Sequence, residues 1–159
     1  MHIQLRELRA ADRAPLERAI RSTGAFNEEE VAVALELIDA GLGAQRVDPY
    51  LFVVAADEHD QALGYSCFGR TAMTDGVYDL YWIVVRDDAQ RFGVGRKLLQ
   101  ATAERVRALA GRMIIIETAG KPEYEKQRAF YERVGCKLRA RYPDFYRVGD
   151  DKLVYVYYP

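Results

Sequence analysis

The stretch from Val77 to Gly111 limits what this chain can fold into more than any other. An apolar strand, Val77-Tyr78-Asp79-Leu80-Tyr81-Trp82-Ile83-Val84-Val85, enters a short polar bend, and Gln90-Arg91-Phe92-Gly93-Val94-Gly95-Arg96 then opens a helix. Glycines at a strand-to-helix junction permit tight turning. They also let consecutive backbone N–H groups gather at the positive end of the helix dipole. A bend of this kind is an anion site, and a phosphate in particular suits it.

The rest of the chain can be placed around that stretch. Residues 2–8 alternate as a strand with Ile3 and Leu5 on one face, and a helical segment follows from Asp12 to Ser22. Asn27 with Glu30 three residues on forms a capping-box pattern for a second helix. Val31, Leu35 and Ile38 give its apolar stripe, and Gly41 is expected to stop it. Tyr50–Ala56 and Ala62–Phe68 read as a hairpin, and a turn at Thr71–Gly76 delivers the chain to Val77. After the bend, Val94, Leu98, Leu99, Thr102, Val106 and Leu109 keep a helical period, with Gly111 as the expected C-terminal stop. Met113-Ile114-Ile115-Ile116 is a continuous β-branched run. It predicts a buried strand parallel to the one before the helix, reached by a right-handed crossover. Tyr124–Val134 reads as a helix stopped by Gly135, and Cys136–Tyr142 and Leu153–Tyr158 as two last strands joined by an aromatic, acidic connection, Pro143–Asp151. The order is strand, helix, helix, three strands, helix, strand, helix, two strands, an α+β domain with a mixed sheet.

Length fits one domain over residues 1–159. Basic and acidic residues number 23 and 24, so nothing in the overall charge draws the chain to nucleic acid. No stretch approaches the roughly 20 apolar residues of a membrane span, and the N-terminus lacks the apolar core of a signal peptide. The cytoplasm is the expected compartment. Cys67 and Cys136 lack CxxC spacing, and His2 and His59 lie far apart, so neither a metal site nor a disulfide is expected.

Three phosphate-binding patterns compete for the bend. A Walker loop needs GxxxxGK followed by Ser or Thr, whereas Gly93 and Gly95 are two apart and Lys97 precedes Leu98. A dinucleotide fingerprint would place its third glycine at Leu98, although Glu117 falls near the position of the ribose acid. The third pattern is Gln90, Gly93 and Gly95, which resembles the acetyl-CoA signature of the GNAT family of N-acetyltransferases. Phe130-Tyr131-Glu132-Arg133-Val134-Gly135 resembles the family's later motif, and the element order matches over essentially the whole chain. Two departures stand out: Tyr124 replaces a frequent Asn, and Cys136 replaces the second motif's last aromatic.

The resemblance implies a mostly antiparallel seven-stranded sheet with four helices, and acetyl transfer from acetyl-CoA to a primary amine by direct attack in a ternary complex. Coenzyme A would lie with its pyrophosphate on the amides of Arg91, Phe92, Gly93, Val94, Gly95 and Arg96, without a metal. Its pantetheine would pair with the strand edge at Ile83, Val84 and Val85, and Tyr124 would line that channel. Tyr131 holds the place of the family's proton donor to the coenzyme A sulfur, a role needing general-acid geometry. Asp79 and Glu117 are joint candidates for the base, beside a base relayed by water.

By the same resemblance the acceptor site draws on the loop before the second helix and on the last strand connection. Phe26, Tyr81, Phe145 and Tyr146 with Asp150 and Asp151 suit a cationic small-molecule amine bearing an apolar body. A peptide N-terminus or a protein lysine is the competing acceptor. A module that senses acyl-CoA without turnover is the competing function. The aromatic last strand, Tyr155, Tyr157 and Tyr158, is a candidate homodimer contact, or packs on its own sheet.

Overall fold

The structure is a computed structural model that describes residues 1–43 and 50–159. Its elements are β1 Gln4–Arg6, α1 Arg13–Ser22, α2 Glu28–Leu42, β2 Leu51–Ala56, β3 Ala62–Arg70, β4 Val77–Val85, α3 Val94–Ala108, β5 Met113–Ala119, α4 Glu125–Arg133, β6 Lys137–Arg147 and β7 Asp150–Tyr157. The strands lie in one sheet in the order β1-β2-β3-β4-β5-β7-β6. β4 and β5 are parallel, as a helical crossover requires, and β1–β2, β2–β3, β5–β7 and β6–β7 are antiparallel. This is the mixed α+β order read from the sequence.

The chain gathers into two compact units, the first Met1–Gly69 with Trp82–Thr102, the second Arg70–Tyr81 with Ala103–Pro159. In the first, Leu16 and Ile20 of α1 and Val31, Ala34 and Ile38 of α2 pack with Phe52, Val54, Tyr65, Cys67 and Val84. The spacing of the α2 positions gives one apolar stripe, and Asn27 starts that helix by accepting the Glu30 backbone N–H at 2.8 Å. The stop differs from expectation. Gly41 lies inside α2, which continues to Leu42, and a side-chain carbon there would collide with the Phe52 ring. Its lack of a side chain lets the helix approach β2.

In the second unit, Tyr78, Leu80, Ile114, Ile116, Leu153 and Tyr155 are buried. Register puts Tyr78 beside Ile114 and Ile116 beside Tyr155, so strand alternation gathers them on one face. The end of α3 reaches that face where Gly111 lies close to both Tyr78 and Val106. Here too the glycine serves close approach rather than the helix stop. The left-handed residue after α3 is Ala110, at φ 60°, and Gly111 donates its N–H to Val106 O at 2.7 Å. The expected Pro143–Asp151 connection is also mostly strand. β6 runs through to Arg147 with register shifts, leaving Val148 and Gly149 to turn into β7.

Within the first unit β3 and the end of β4 approach so closely that a side-chain carbon on Gly64 would meet the Val84 carbonyl oxygen, and would lie 3.0 Å from Val85 Cα. Backbone atoms in a buried sheet cannot step aside. Gly64→Ala is therefore expected to lower the unfolding free energy by roughly 1–3 kcal/mol, read from the urea midpoint. An unchanged midpoint would contradict this packing.

Candidate functional site

The bend after β4 is built in three steps, all inside the first unit. Residues Asp87–Phe92 form a tight 3-10 turn, Gly93 takes the left-handed conformation at φ 74°, and α3 begins at Val94. Lys97 N–H bonds to Gly93 O at 3.1 Å, the first bond of the helix. Helix geometry therefore leaves the N–H groups of Val94, Gly95 and Arg96 without a carbonyl of their own turn. They point where the helix dipole favours an anion. Gly95 lies within the first turn of α3, and Arg91, Phe92 and Arg96 are exposed around it.

Gln90 lies one residue before Arg91 in the same bend. Its side-chain amide donates to Val85 O at 3.2 Å, tying the bend to the end of β4. The polar groups of that strand end can be accounted for one by one. Val84 O is turned toward Gly64 of β3, and Arg86 N–H bonds to Leu63 O at 2.8 Å. Alternation then turns the Ile83 and Val85 groups to the opposite edge. With Val85 O held by Gln90, that edge offers Ile83 N–H, Ile83 O and Val85 N–H. Nearby, Ser66 and Thr102 share a buried bond of 2.7 Å. Since Thr102 gives its own proton to Leu98 O at 2.8 Å, Ser66 is the donor, and β3 is fastened to α3. Phe26 packs edge-on against Trp82 with centroids 5.2 Å apart, on the apolar core of the first unit.

The second unit carries the other candidates. The β4–β5 ladder consists of Val77–Met113, Tyr78–Ile114 and Asp79–Ile115, and ends there. β5 goes on pairing with β7 through Ala119. Beyond the last rung, alternation puts Tyr81 on the face of Asp79, and Glu117 on the face of Ile115. Leu80 and Ile116 point the other way, toward the buried side.

Tyr131 of α4 belongs to that buried side. Its ring lies 5.8 Å from that of Tyr155, whose hydroxyl donates to Glu132 Oε1 at 3.0 Å. Burial pushes the Tyr131 phenol above the ordinary tyrosine range. It keeps its proton at neutral pH. Arg128, one turn earlier, donates to Ala119 O at 2.8 Å and Lys121 O at 2.9 Å, which fixes α4 against the end of β5. Tyr124 precedes α4 and carries the Lys121 ammonium 5.0 Å over its ring. Burial also raises both thiols, Cys136 up to about 12.

The carboxylates are more occupied than the sequence suggests. Asp79 accepts from the Thr71 hydroxyl at 2.7 Å, and Glu117 pairs with Lys152 at 3.0 Å. Asp150 is buried and accepts the Lys121 N–H at 3.2 Å. Asp151 accepts from Asp144 N–H at 2.9 Å and Arg141 at 2.7 Å, donors that hold its carboxyl below the usual range. Asp151 thus braces the β6–β7 connection and Asp150 the loop after β5, while the exposed ring of Phe145 is tilted against Tyr142 and meets Tyr146 edge-on. Lys152 and Thr71 are the residues that sequence reasoning missed. Alternation in the last strand would have put Lys152 on a face with Val154 and Val156, but its partner depends on the β5–β7 register.

Comparison with known proteins places the chain in a family and shows which structures share its fold. A family model described as an acetyltransferase (GNAT) domain matches residues 48–136. A solved structure assigned as a GNAT-family acetyltransferase from Desulfovibrio desulfuricans is 40% identical, with a TM-score of 0.92 over 99% of each chain. The ribosomal-protein-S18-alanine N-acetyltransferase of Escherichia coli shares the fold at 17% identity and a TM-score of 0.74, over 99% of this chain and 94% of that one. An aminoglycoside 6'-N-acetyltransferase complexed with coenzyme A does so at 16% identity and 0.72, over 99% and 97%. Comparison with curated proteins gave no match.

The raised tyrosines carry a pH dependence. Burial and the Glu132 carboxylate push Tyr155 up to about 12, and burial raises Tyr131 further. Unfolded tyrosines ionise near about 10. The folded state therefore holds these protons more tightly, and the stability they contribute is complete below about pH 10 and lost as pH rises through the folded values. The unfolding free energy should fall above about pH 10 by ~1.4 kcal/mol per pH unit for each such tyrosine. Tyr131→Phe and Tyr155→Phe should flatten the slope, and a profile equally steep in both variants would contradict the assignment.

Proposed function

Because the chain belongs to the GNAT family of acetyltransferases, whose acyl donor is acetyl-CoA, we propose that it acetylates a primary amine of a small molecule within a ternary complex. The observation that carries this reading is Tyr131: a buried phenol that keeps its proton, on the helix that follows the strand where the β4–β5 ladder ends.

Several features support the assignment of parts. The pyrophosphate belongs on the N–H groups of Val94, Gly95 and Arg96, where Gly93 turns the chain and no metal is needed to balance the charge. Arg91 and Arg96 are exposed at the same turn and can add charge-assisted bonds to phosphate oxygens. Ile83 and the Val85 N–H offer the donors and acceptor that a peptide-like pantetheine arm requires. Bound acetyl-CoA supplies the thioester acyl group.

Tyr131 protonates the departing sulfur, and its raised affinity for the proton keeps it loaded beforehand. The acceptor amine approaches the face of Asp79, Tyr81 and Glu117. Its proton leaves through water to a carboxylate of that face. Glu117, with half of its side chain exposed, is the better placed to exchange with solvent. A small amine fits better than a strongly cationic one, since Asp150 and Asp151 already serve the protein's own N–H groups and Arg141.

The test is acetyl-CoA-dependent thiol release across a panel of amines and peptides. Tyr131→Phe should retain cofactor affinity and lose about 10²–10⁴-fold in kcat, the range for a positioned general acid. Full turnover by that variant would remove the role of Tyr131. Saturable cofactor binding without thiol release for any acceptor would favour a sensor over an enzyme.

A further inference from the structure

The strand face that carries Glu117 also holds a cage of one carboxylate and two aromatic rings around an internal cation. Lys152 and Ala119 are register partners, as are Tyr142 and Lys152, so alternation puts Glu117, Lys152 and Tyr142 on one face. The Lys152 ammonium lies 3.0 Å from Glu117 Oε1, 4.5 Å from the centroid of Phe145 and 5.8 Å from that of Tyr142. One carboxylate and two aromatic faces around a single cation are the components of an alkylammonium site. The walls are open and the occupant is covered. Phe145 and Tyr142 are 53% and 52% exposed and the Glu117 side chain 50%, whereas that of Lys152 is 16% exposed.

We propose that Lys152 is a specificity-determining residue, an internal ammonium that fills the cage of Glu117, Tyr142 and Phe145 and so selects against acceptors bringing a second cation to this face. This rests on the reading that the face of Asp79, Tyr81 and Glu117 receives the acceptor. The chemistry is competitive. A diamine entering beside Glu117 must displace Lys152 from its carboxylate and rings, or leave two ammonium groups sharing one carboxylate. A monoamine with an apolar tail meets neither demand and can lie against the exposed aromatic rings. Lys152 with Glu117 thereby sets the preference for uncharged tails that the occupied Asp150 and Asp151 already suggest.

The experiment compares the diamine putrescine with the monoamine butylamine, in the native protein and in Lys152→Met, which keeps the chain length without the charge. Both amines react alike, so any change in how Glu117 handles protons cancels in their ratio. The putrescine-to-butylamine ratio of kcat/KM should rise about tenfold in Lys152→Met, chiefly through the KM for putrescine, within the range of a desolvated cation–aromatic contact. A ratio that stays constant or falls overturns the proposal. Lys152→Gln serves the same comparison if the Met variant does not fold.

Tetramethylammonium binding, followed by NMR of the Phe145 and tyrosine ring protons, gives a readout independent of turnover. Lys152→Met should bind it more tightly than the native protein, and adding Phe145→Leu should abolish the gain. Equal binding in the native and Lys152→Met proteins overturns the cage. If no variant releases thiol with either amine or with the wider panel, the acetyl-transfer reading fails, and this titration alone decides whether the cage exists.

Discussion

The structure depends most on the point where the β4–β5 ladder stops. Three rungs join the strands from Val77 to Asp79, while β5 continues in register with β7 as far as Ala119. In a sheet every backbone donor and acceptor needs a partner. Ending a ladder mid-strand therefore creates a place where something outside the sheet can bond, and it separates two faces that ordinary pairing would seal from each other. On one side lie Tyr131 and Tyr155, buried and protonated. On the other lie Asp79, Tyr81 and Glu117, more exposed and bearing the carboxylates. In the acyl transfer proposed above, the first side would supply the acid and the second the proton acceptor.

The bend after β4 shows a second constraint, economy of backbone groups. Gln90 holds Val85 O, Gly64 admits the Val84 carbonyl, and Gly93 turns the chain so that α3 begins with three N–H groups directed outward. Each residue accounts for a polar group that would otherwise be lost to burial. The result is a helix start with outward N–H groups beside a strand edge of defined donors and acceptors.

The element order, the crossover from β4 through α3 to β5, and the strand-to-helix glycine turn were all legible in the sequence, because apolar periodicity and glycine position report them directly. The work of individual glycines was not. Gly41 and Gly111 were expected to stop helices, yet both exist to let a helix approach Phe52 or Tyr78, a fact of tertiary packing that spacing does not encode. The aromatic connection after Tyr142 proved to be strand, continuing β6 to Arg147 through register shifts against β7 that apolar periodicity does not report. The acids followed the same pattern. Asp150 and Asp151 look available in the sequence, but only the fold shows that the Lys121 N–H engages the first and the Asp144 N–H and Arg141 the second. Lys152 had no sequence signal of its own, since its meaning comes from Glu117 on a neighbouring strand.

The central claim is that the turn at Gly93 and the edge of β4 hold coenzyme A. Amide hydrogen exchange with and without coenzyme A tests it most directly. Protection should appear together at the N–H groups of Val94, Gly95 and Arg96 and at those of Ile83 and Val85, the donors that helix and strand geometry direct outward. Saturating coenzyme A that leaves these five amides unchanged, or that protects a different segment instead, would contradict the account.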